Sequence, residues 1–208
     1  MITQTTLDEF LNTLASGAPT PGGGSAAAVI GAMGAALISM VCNVTLGKKG
    51  MEAATAEMRA VCGESERLRL RLTAMIADDI AAFDGLMAAY RLPKASDTDK
   101  ALRSAAIQKS LIGATQTPLE CARACAQVIG ISRRAAEAGY AGVISDAGVG
   151  VLAAQTALRS AALNVQINAP LLEDRNFAAA AVDELGKLLE SGGRESEAVF
   201  NLVRSRLG

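Results

Sequence analysis

Apolar residues recur at helical spacing along nearly the whole chain, and the pattern predicts a series of helices with no strand. Leu7, Phe10, Leu11 and Leu14 share one face of a first helix over about 5–15, stopped by Ser16-Gly17. A second helix starts at Ser25, its predicted N-cap, and runs to about 46, where Gly47 ends it. That segment carries no charge from Ala26 to Leu46, and Gly31, Gly34, Ala35 and Ala36 give it a face that another helix can approach closely. A third helix covers about 51–91, with Gly63 as a point of interruption. Its positions Leu68, Leu72, Met75, Ile76, Ile80, Phe83 and Met87 keep a 3–4 spacing as far as Leu92-Pro93. Ser96 or Asp97 caps a fourth helix reaching about 113. Thr117-Pro118 opens a fifth, with proline at its first position, running to about 138. Ser145-Asp146 caps a sixth that carries Val149, Leu152, Leu158, Leu163 and Ile167 and is broken by Pro170. Two amphipathic segments, about 174–189 and 194–203, flank Ser191-Gly192-Gly193. The expected architecture is one all-α domain over 1–208, an up-and-down-like helical bundle with long central helices.

Composition sharpens this picture. Half of the 208 residues are hydrophobic, yet only 3% are aromatic and there is no tryptophan. Small aliphatic side chains let helices pack at short range. The net charge of −1, without a basic stripe, argues against nucleic acid as a partner. Histidine is absent, which removes Ser–His–Asp and Cys–His triads and every His-ligated metal site. No metal and no cofactor are expected, and proton transfer falls to Asp, Glu, Lys, Tyr or Cys. Cys42, Cys62, Cys121 and Cys125 form no C-x-x-C pair and read as reduced core residues of a cytoplasmic protein. The start, Met1 to Glu9, is too polar and acidic for a signal peptide. The run Ala26–Leu46 is long enough to cross a bilayer. No second span and no aromatic belt accompany it, so it reads as a buried central helix and no membrane partner is expected.

Several places could carry chemistry. In Pro21-Gly22-Gly23-Gly24-Ser25 three glycines follow a proline and lead directly into the most apolar helix, so bare backbone and first-turn N–H groups can approach a ligand or anion. No Gly-Lys-Ser/Thr follows and no strand precedes, so neither a Walker A loop nor a dinucleotide fingerprint is present. Asp78 and Asp79 lie inside the third helix. Asp79 stands four residues from both Met75 and Phe83, on a face where a carboxylate is costly unless paired or used as a general acid or base; the alternative is a solvated edge. Lys48-Lys49 complements a helix dipole or holds a carboxylate-bearing ligand. Ser145-Asp146 reads first as a cap. Asn164 and Asn168, one turn apart in an apolar segment, need partners that a heterocycle with donors and acceptors would supply. Arg159, one turn earlier, reads as a surface ion-pair partner.

In order, Phe10-Leu11, Pro21-Gly22-Gly23-Gly24-Ser25, Met33-Gly34-Ala35-Ala36-Leu37, Gly47-Lys48-Lys49, Asp79 with Ala82-Phe83, Arg91-Leu92-Pro93-Lys94, Pro118-Leu119, Ser145-Asp146, Asn164-Val165 and Ile167-Asn168 resemble the cyclodeaminase/cyclohydrolase family of folate enzymes. Each piece is short, but the ordered set covers nearly the whole chain. The resemblance implies an all-α homodimer with a folate site near the glycine loop. It implies hydrolysis of 5,10-methenyltetrahydrofolate to 10-formyltetrahydrofolate, with the folate as substrate and no separate cofactor. Formiminotetrahydrofolate cyclodeamination with release of ammonia, or folate binding without turnover, are the alternatives. The family's catalytic aspartate falls on Asp79. Lys49, with Lys48, would bind the substrate's glutamate tail or stabilise the tetrahedral intermediate. Pro21, Gly22, Gly23, Gly24 and Ser25 would shape the pocket, and Ser145, Asp146, Asn164 and Asn168 would contact the pterin or water. Arginines tend to stand in the bifunctional enzymes where this chain has Lys48 and Lys49, which keeps the charge but not a bidentate grip.

Overall fold

The computed structural model describes residues 2–207, apart from the side chain of Thr3. Six α-helices account for most of them: α1 Leu7–Leu14, α2 Gly23–Leu46, α3 Thr55–Tyr90, α4 Asp97–Ala138, α5 Ile144–Asn168 and α6 Arg175–Arg206. Short 3-10 turns join some of these, and no strand occurs among the described residues. The all-α expectation holds, with fewer and longer helices than the breaker residues suggest.

Four boundaries differ from the expectation, each for a physical reason. Gly22, not Ser25, is the N-cap of α2; Ser25 lies in the first turn, and its hydroxyl is used elsewhere. Gly63 does not interrupt α3, which is continuous from Thr55 to Tyr90. Thr117-Pro118 does not open a helix, because α4 runs through Pro118 as one 42-residue element. Ser191-Gly192-Gly193 likewise lies inside α6. Gly192 leaves room at the crossing: a Cβ at this position would come 2.6 Å from Leu158 Cδ2, so α6 lies close against α5 there. The predicted capping at Ser145-Asp146 is also absent. Helix α5 starts one residue earlier behind Val143, with no side-chain cap.

Helices α2 to α6 alternate in direction. Ser25 meets Asp79 while Ser39 meets Ser65, so α2 and α3 run antiparallel. Arg134 of α4 reaches Glu57 at 2.6 Å and Glu64 at 2.7 Å near the start of α3. Its guanidinium holds the Glu57 carboxyl below the usual carboxylate range. Helix α2 lies between α3 and α5, and α4 runs along α3, α5 and α6. Small residues make this possible, as the composition suggests. A Cβ on Gly34 would stand 2.9 Å from the Gly150 carbonyl oxygen, so α2 and α5 touch backbone to backbone.

The main core collects Ile38, Met58, Leu72, Ile129, Leu158 and Val165, together with many alanines, from α2 to α6. A second, smaller cluster sits at one end, where Leu86, Leu111, Ala114, Leu172 and Ala178 pack with Met87, Ile107 and Phe177. All four cysteines are free thiols; three are buried, and burial pushes Cys42 up to about 12. Two stretches, not one, are long and apolar enough to cross a membrane, Gly23–Leu46 and Ala141–Leu171. The second escaped the sequence reading because Asp146 and Arg159 interrupt its apolar run. Within the bundle 56% and 44% of these windows are already buried.

Candidate active site

The loop before α2 ends on Gly22, whose extended backbone (φ −127°, ψ −156°) caps the helix without a side chain. Pro21, buried and joined to Thr20 by a cis peptide, and Gly22 turn the chain into the helix. The first turn of α2 then meets Asp79 of α3. Ser25, fully buried, donates its hydroxyl to Asp79 Oδ2 at 2.7 Å. The other oxygen, Oδ1, lies over Gly24: a Cβ there would be 2.0 Å from it and 2.6 Å from the carboxyl carbon. Position 24 therefore has to be glycine for the carboxylate to sit where it does. The positive end of α2 favours negative charge at its N-terminus. The anion at that helix start is the protein's own Asp79, rather than a ligand anion. The neighbouring Asp78 is exposed, which separates the two aspartates that the sequence left paired.

Asp79 lines a cavity of about 380 Å³. Its apolar walls include Phe83, Met87 and Tyr90 of α3, Pro118 of α4, and Ile167 of α5. The smaller core cluster forms its floor through Leu86 and Ala114. Behind Asp79 lies a niche of about 10 Å³ bounded by Gly24, Thr117, Pro118 and Cys121, the size of one water molecule. Among the described residues Asp79 is the one carboxylate lining this largely apolar cleft, an arrangement suited to proton transfer.

Asn164 and Asn168 enter the same cavity from α5. Asn164 donates its amide to the Ser160 carbonyl at 3.0 Å, and a Cβ on Gly23 would lie 4.0 Å from that nitrogen. Asn168 donates to the Ala114 carbonyl of α4 at 2.8 Å. Both amides therefore spend an N–H on backbone and keep the carbonyl oxygen as an acceptor. So Asp79, Gly23, Gly24, Ser25, Asn164 and Asn168 lie close together, while Pro21 and Gly22 shape the loop without lining the cavity.

Lys48, Lys49, Ser145 and Asp146 do not join them within one chain. The lysines follow the C-terminal end of α2, and 24 helical residues put about 36 Å between the two ends. Lys48 lies over the Tyr140 ring, its Nζ 4.4 Å from the centroid, and both lysines are exposed. Ser145 and Asp146 begin α5, which runs antiparallel to α2, so they share the lysine end. Arg159 is exposed on α5. The sequence reading missed Tyr90, Thr117 and Pro118 as cavity residues. The signal for Pro118 was present: Leu111, Thr115, Pro118, Ala122 and Cys125 keep the 3–4 spacing across the proline. Among the described residues no three of Cys, Asp and Glu cluster as metal ligands would.

The profile of the formiminotransferase-cyclodeaminase family matches residues 6–187. A methenyltetrahydrofolate cyclohydrolase of Methylorubrum extorquens is 53% identical over 202 residues, covering 97% of each chain. The formimidoyltransferase-cyclodeaminase of Sus scrofa is 32% identical over 96% of this chain, which matches 37% of that longer protein. A formiminotetrahydrofolate cyclodeaminase from Thermotoga maritima superposes with a TM-score of 0.83 at 28% identity, covering 100% of this chain and 98% of the other. The chain belongs to the formiminotransferase-cyclodeaminase family.

Proposed function

We propose that this protein is a methenyltetrahydrofolate cyclohydrolase that converts 5,10-methenyltetrahydrofolate to 10-formyltetrahydrofolate, with Asp79 as general acid and base. The observation that carries the reading is near-complete coverage at 53% identity to a methenyltetrahydrofolate cyclohydrolase. The geometry supports a mechanism. The methenyl bridge carries a positive charge spread over N5, carbon and N10, and Asp79 is the anion of the cavity that would face it. Asp79 takes one proton from the attacking water as oxygen adds to the bridge carbon. It returns that proton to N5 as the carbon–N5 bond breaks. The second water proton leaves to solvent as the formyl C=O forms on N10. Ser25, committed to Oδ2, leaves Oδ1 to move the proton. The cavity's acceptors, Asn164 and Asn168, suit the N–H edge of a pterin. The folate is the substrate, and the reaction needs no further cofactor.

The active unit in this reading is a homodimer in the cytoplasm, without nucleic-acid or membrane partners. Met33, Leu37, Met40 and Val44 form an outward row on α2, and Val149, Leu152, Leu163 and Ile167 are exposed on α5. These two helices pack side by side and both expose apolar side chains, and a second copy is the occupant that suits them. An antiparallel copy would bring Lys48 and Lys49 of the partner subunit toward the Asp79 end, where they could hold the glutamate tail. Met33→Glu with Leu163→Glu tests this by sedimentation: the wild type runs at twice the chain mass and the variant as a monomer. A monomeric wild type with full activity overturns the dimer.

The 28% identical cyclodeaminase structure favours a second reading, formation of the methenyl bridge with release of ammonia. One assay separates the two. Loss of the methenyltetrahydrofolate absorbance with purified protein is the cyclohydrolase. Gain of that band from 5-formiminotetrahydrofolate, with ammonia, is the cyclodeaminase. Silence on both rejects the enzyme reading.

A further inference from the structure

Pro118 stands in the middle of a helix, where proline is the least favourable residue. Its ring nitrogen has no hydrogen, so the Ala114 carbonyl four residues earlier loses its helical donor. The ring also crowds that carbonyl. A buried carbonyl without a partner is itself costly. Here the missing donor is replaced from another helix: Asn168, the last residue of α5, gives its side-chain N–H to Ala114 O at 2.8 Å. Pro118 and Asn168 both line the cavity that contains Asp79.

We infer that Pro118 is a positioning residue, freeing the Ala114 carbonyl to fix the Asn168 amide so that its carbonyl oxygen accepts an N–H of the substrate's fused heterocycle. An asparagine amide can flip by 180° and present either a donor or an acceptor. A carbonyl facing Asn168 removes this ambiguity, because only Nδ2 can donate to it. The cavity then reads a heterocyclic donor and disfavours an acceptor at that point.

This inference rests on the folate reading for its ligand but not for its geometry, and the experiment keeps the two apart. Pro118→Ala restores an N–H at position 118 that competes for Ala114 O. The expected result is a rise of about tenfold in KM for methenyltetrahydrofolate with kcat within about threefold, the size expected when one hydrogen-bond orientation is lost. Asn168→Asp keeps acceptor oxygens but cannot donate to Ala114, and raises KM similarly. In the double variant Pro118→Ala with Asn168→Asp the effects do not add, because both act through one bond. Additive effects overturn the inference. Without any ligand, the Asn168 side-chain N–H signals in the NMR spectrum are protected from exchange in the wild type and lose protection in Pro118→Ala. Unchanged protection overturns the orientation mechanism whatever the substrate is. Loss of protection in a protein that turns over no folate upholds the orientation and overturns its folate ligand.

Discussion

The two ends of helix α2 use similar residues for different ends. At its start, of the three glycines between Pro21 and Ser25, Gly24 packs against α3, where a Cβ would fall 2.0 Å from the Asp79 carboxylate. At its finish, Gly47 and Gly50 bracket Lys48 and Lys49, and no atom comes closer than 3.7 Å to a Cβ built on Gly47. Gly50 meets nothing and is glycine for its backbone, with φ of +89°. One end is glycine-rich because another side chain occupies the space. The other is glycine-rich because the chain must turn. A glycine cluster beside an apolar helix marks a site only when a polar group fills the room it leaves.

The largest effect that tests this contrast is Asp79→Asn, which keeps the carboxylate's shape and removes its basicity. Turnover of methenyltetrahydrofolate should fall by about 10²- to 10⁴-fold while the circular dichroism spectrum and Tm stay near wild type. Full activity in the variant would end the assignment of Asp79 as proton carrier.

Next comes the glycine pair. Gly24→Ala forces the Asp79 carboxylate aside by more than an ångström, and a displacement of that size costs about 100-fold in rate. Gly47→Ala has an ordinary helical backbone (φ −85°) and open space, and should change stability by no more than about 0.5 kcal/mol and leave turnover unchanged. Equal losses at both positions would mean that the glycines serve folding alone. Ser25→Ala removes the hydroxyl that holds Oδ2 and leaves Asp79 free to rotate. A hydrogen bond to a charged group contributes about 1.5–3 kcal/mol, so kcat should drop about 10- to 100-fold. This sits below the aspartate variant and separates holding the carboxylate from being it.

Which parts of the molecule were legible beforehand follows the same physics. Apolar periodicity marks the helices, because every helix here buries a face. It marks Asp79 too, as a carboxylate at 3–4 spacing among apolar residues. Breaker residues misled in the other direction. Pro118 read as a helix start and Gly192 as a break between helices, yet each lies within a continuous helix because a partner on another helix meets its need: the Asn168 amide for the carbonyl Pro118 frees, and Leu158 for the space Gly192 leaves. Such compensation is tertiary and has no local signature. Ser25 is a similar case. It has the composition of a cap and stands beside the loop, but its hydroxyl is drawn 54 residues away to Asp79. The separation of Lys48 and Lys49 from Asp79 follows from counting residues along one straight helix, once the helix is known to be unbroken.

The smallest expected effect lies at the lysine end. Lys48→Ala loses a contact over Tyr140 that is worth about 0.5–1 kcal/mol at an exposed site, so Tm should fall by only a few degrees. Lys49→Ala should leave Tm unchanged, since its side chain is exposed and forms no ion pair among the described residues. Neither lysine reaches Asp79 of its own subunit, so kcat should hold in both variants. The discriminating quantity is KM. In a homodimer that brings the partner's lysines to the tail of the substrate, Lys49→Ala raises KM by up to about fivefold, the range of an exposed ion pair, and added salt weakens wild-type binding by the same route. In the monomeric Met33→Glu, Leu163→Glu background the same substitution then changes nothing further. An unchanged KM in the dimer itself would confine the lysines to ending α2, and the two ends of that helix would have no function in common.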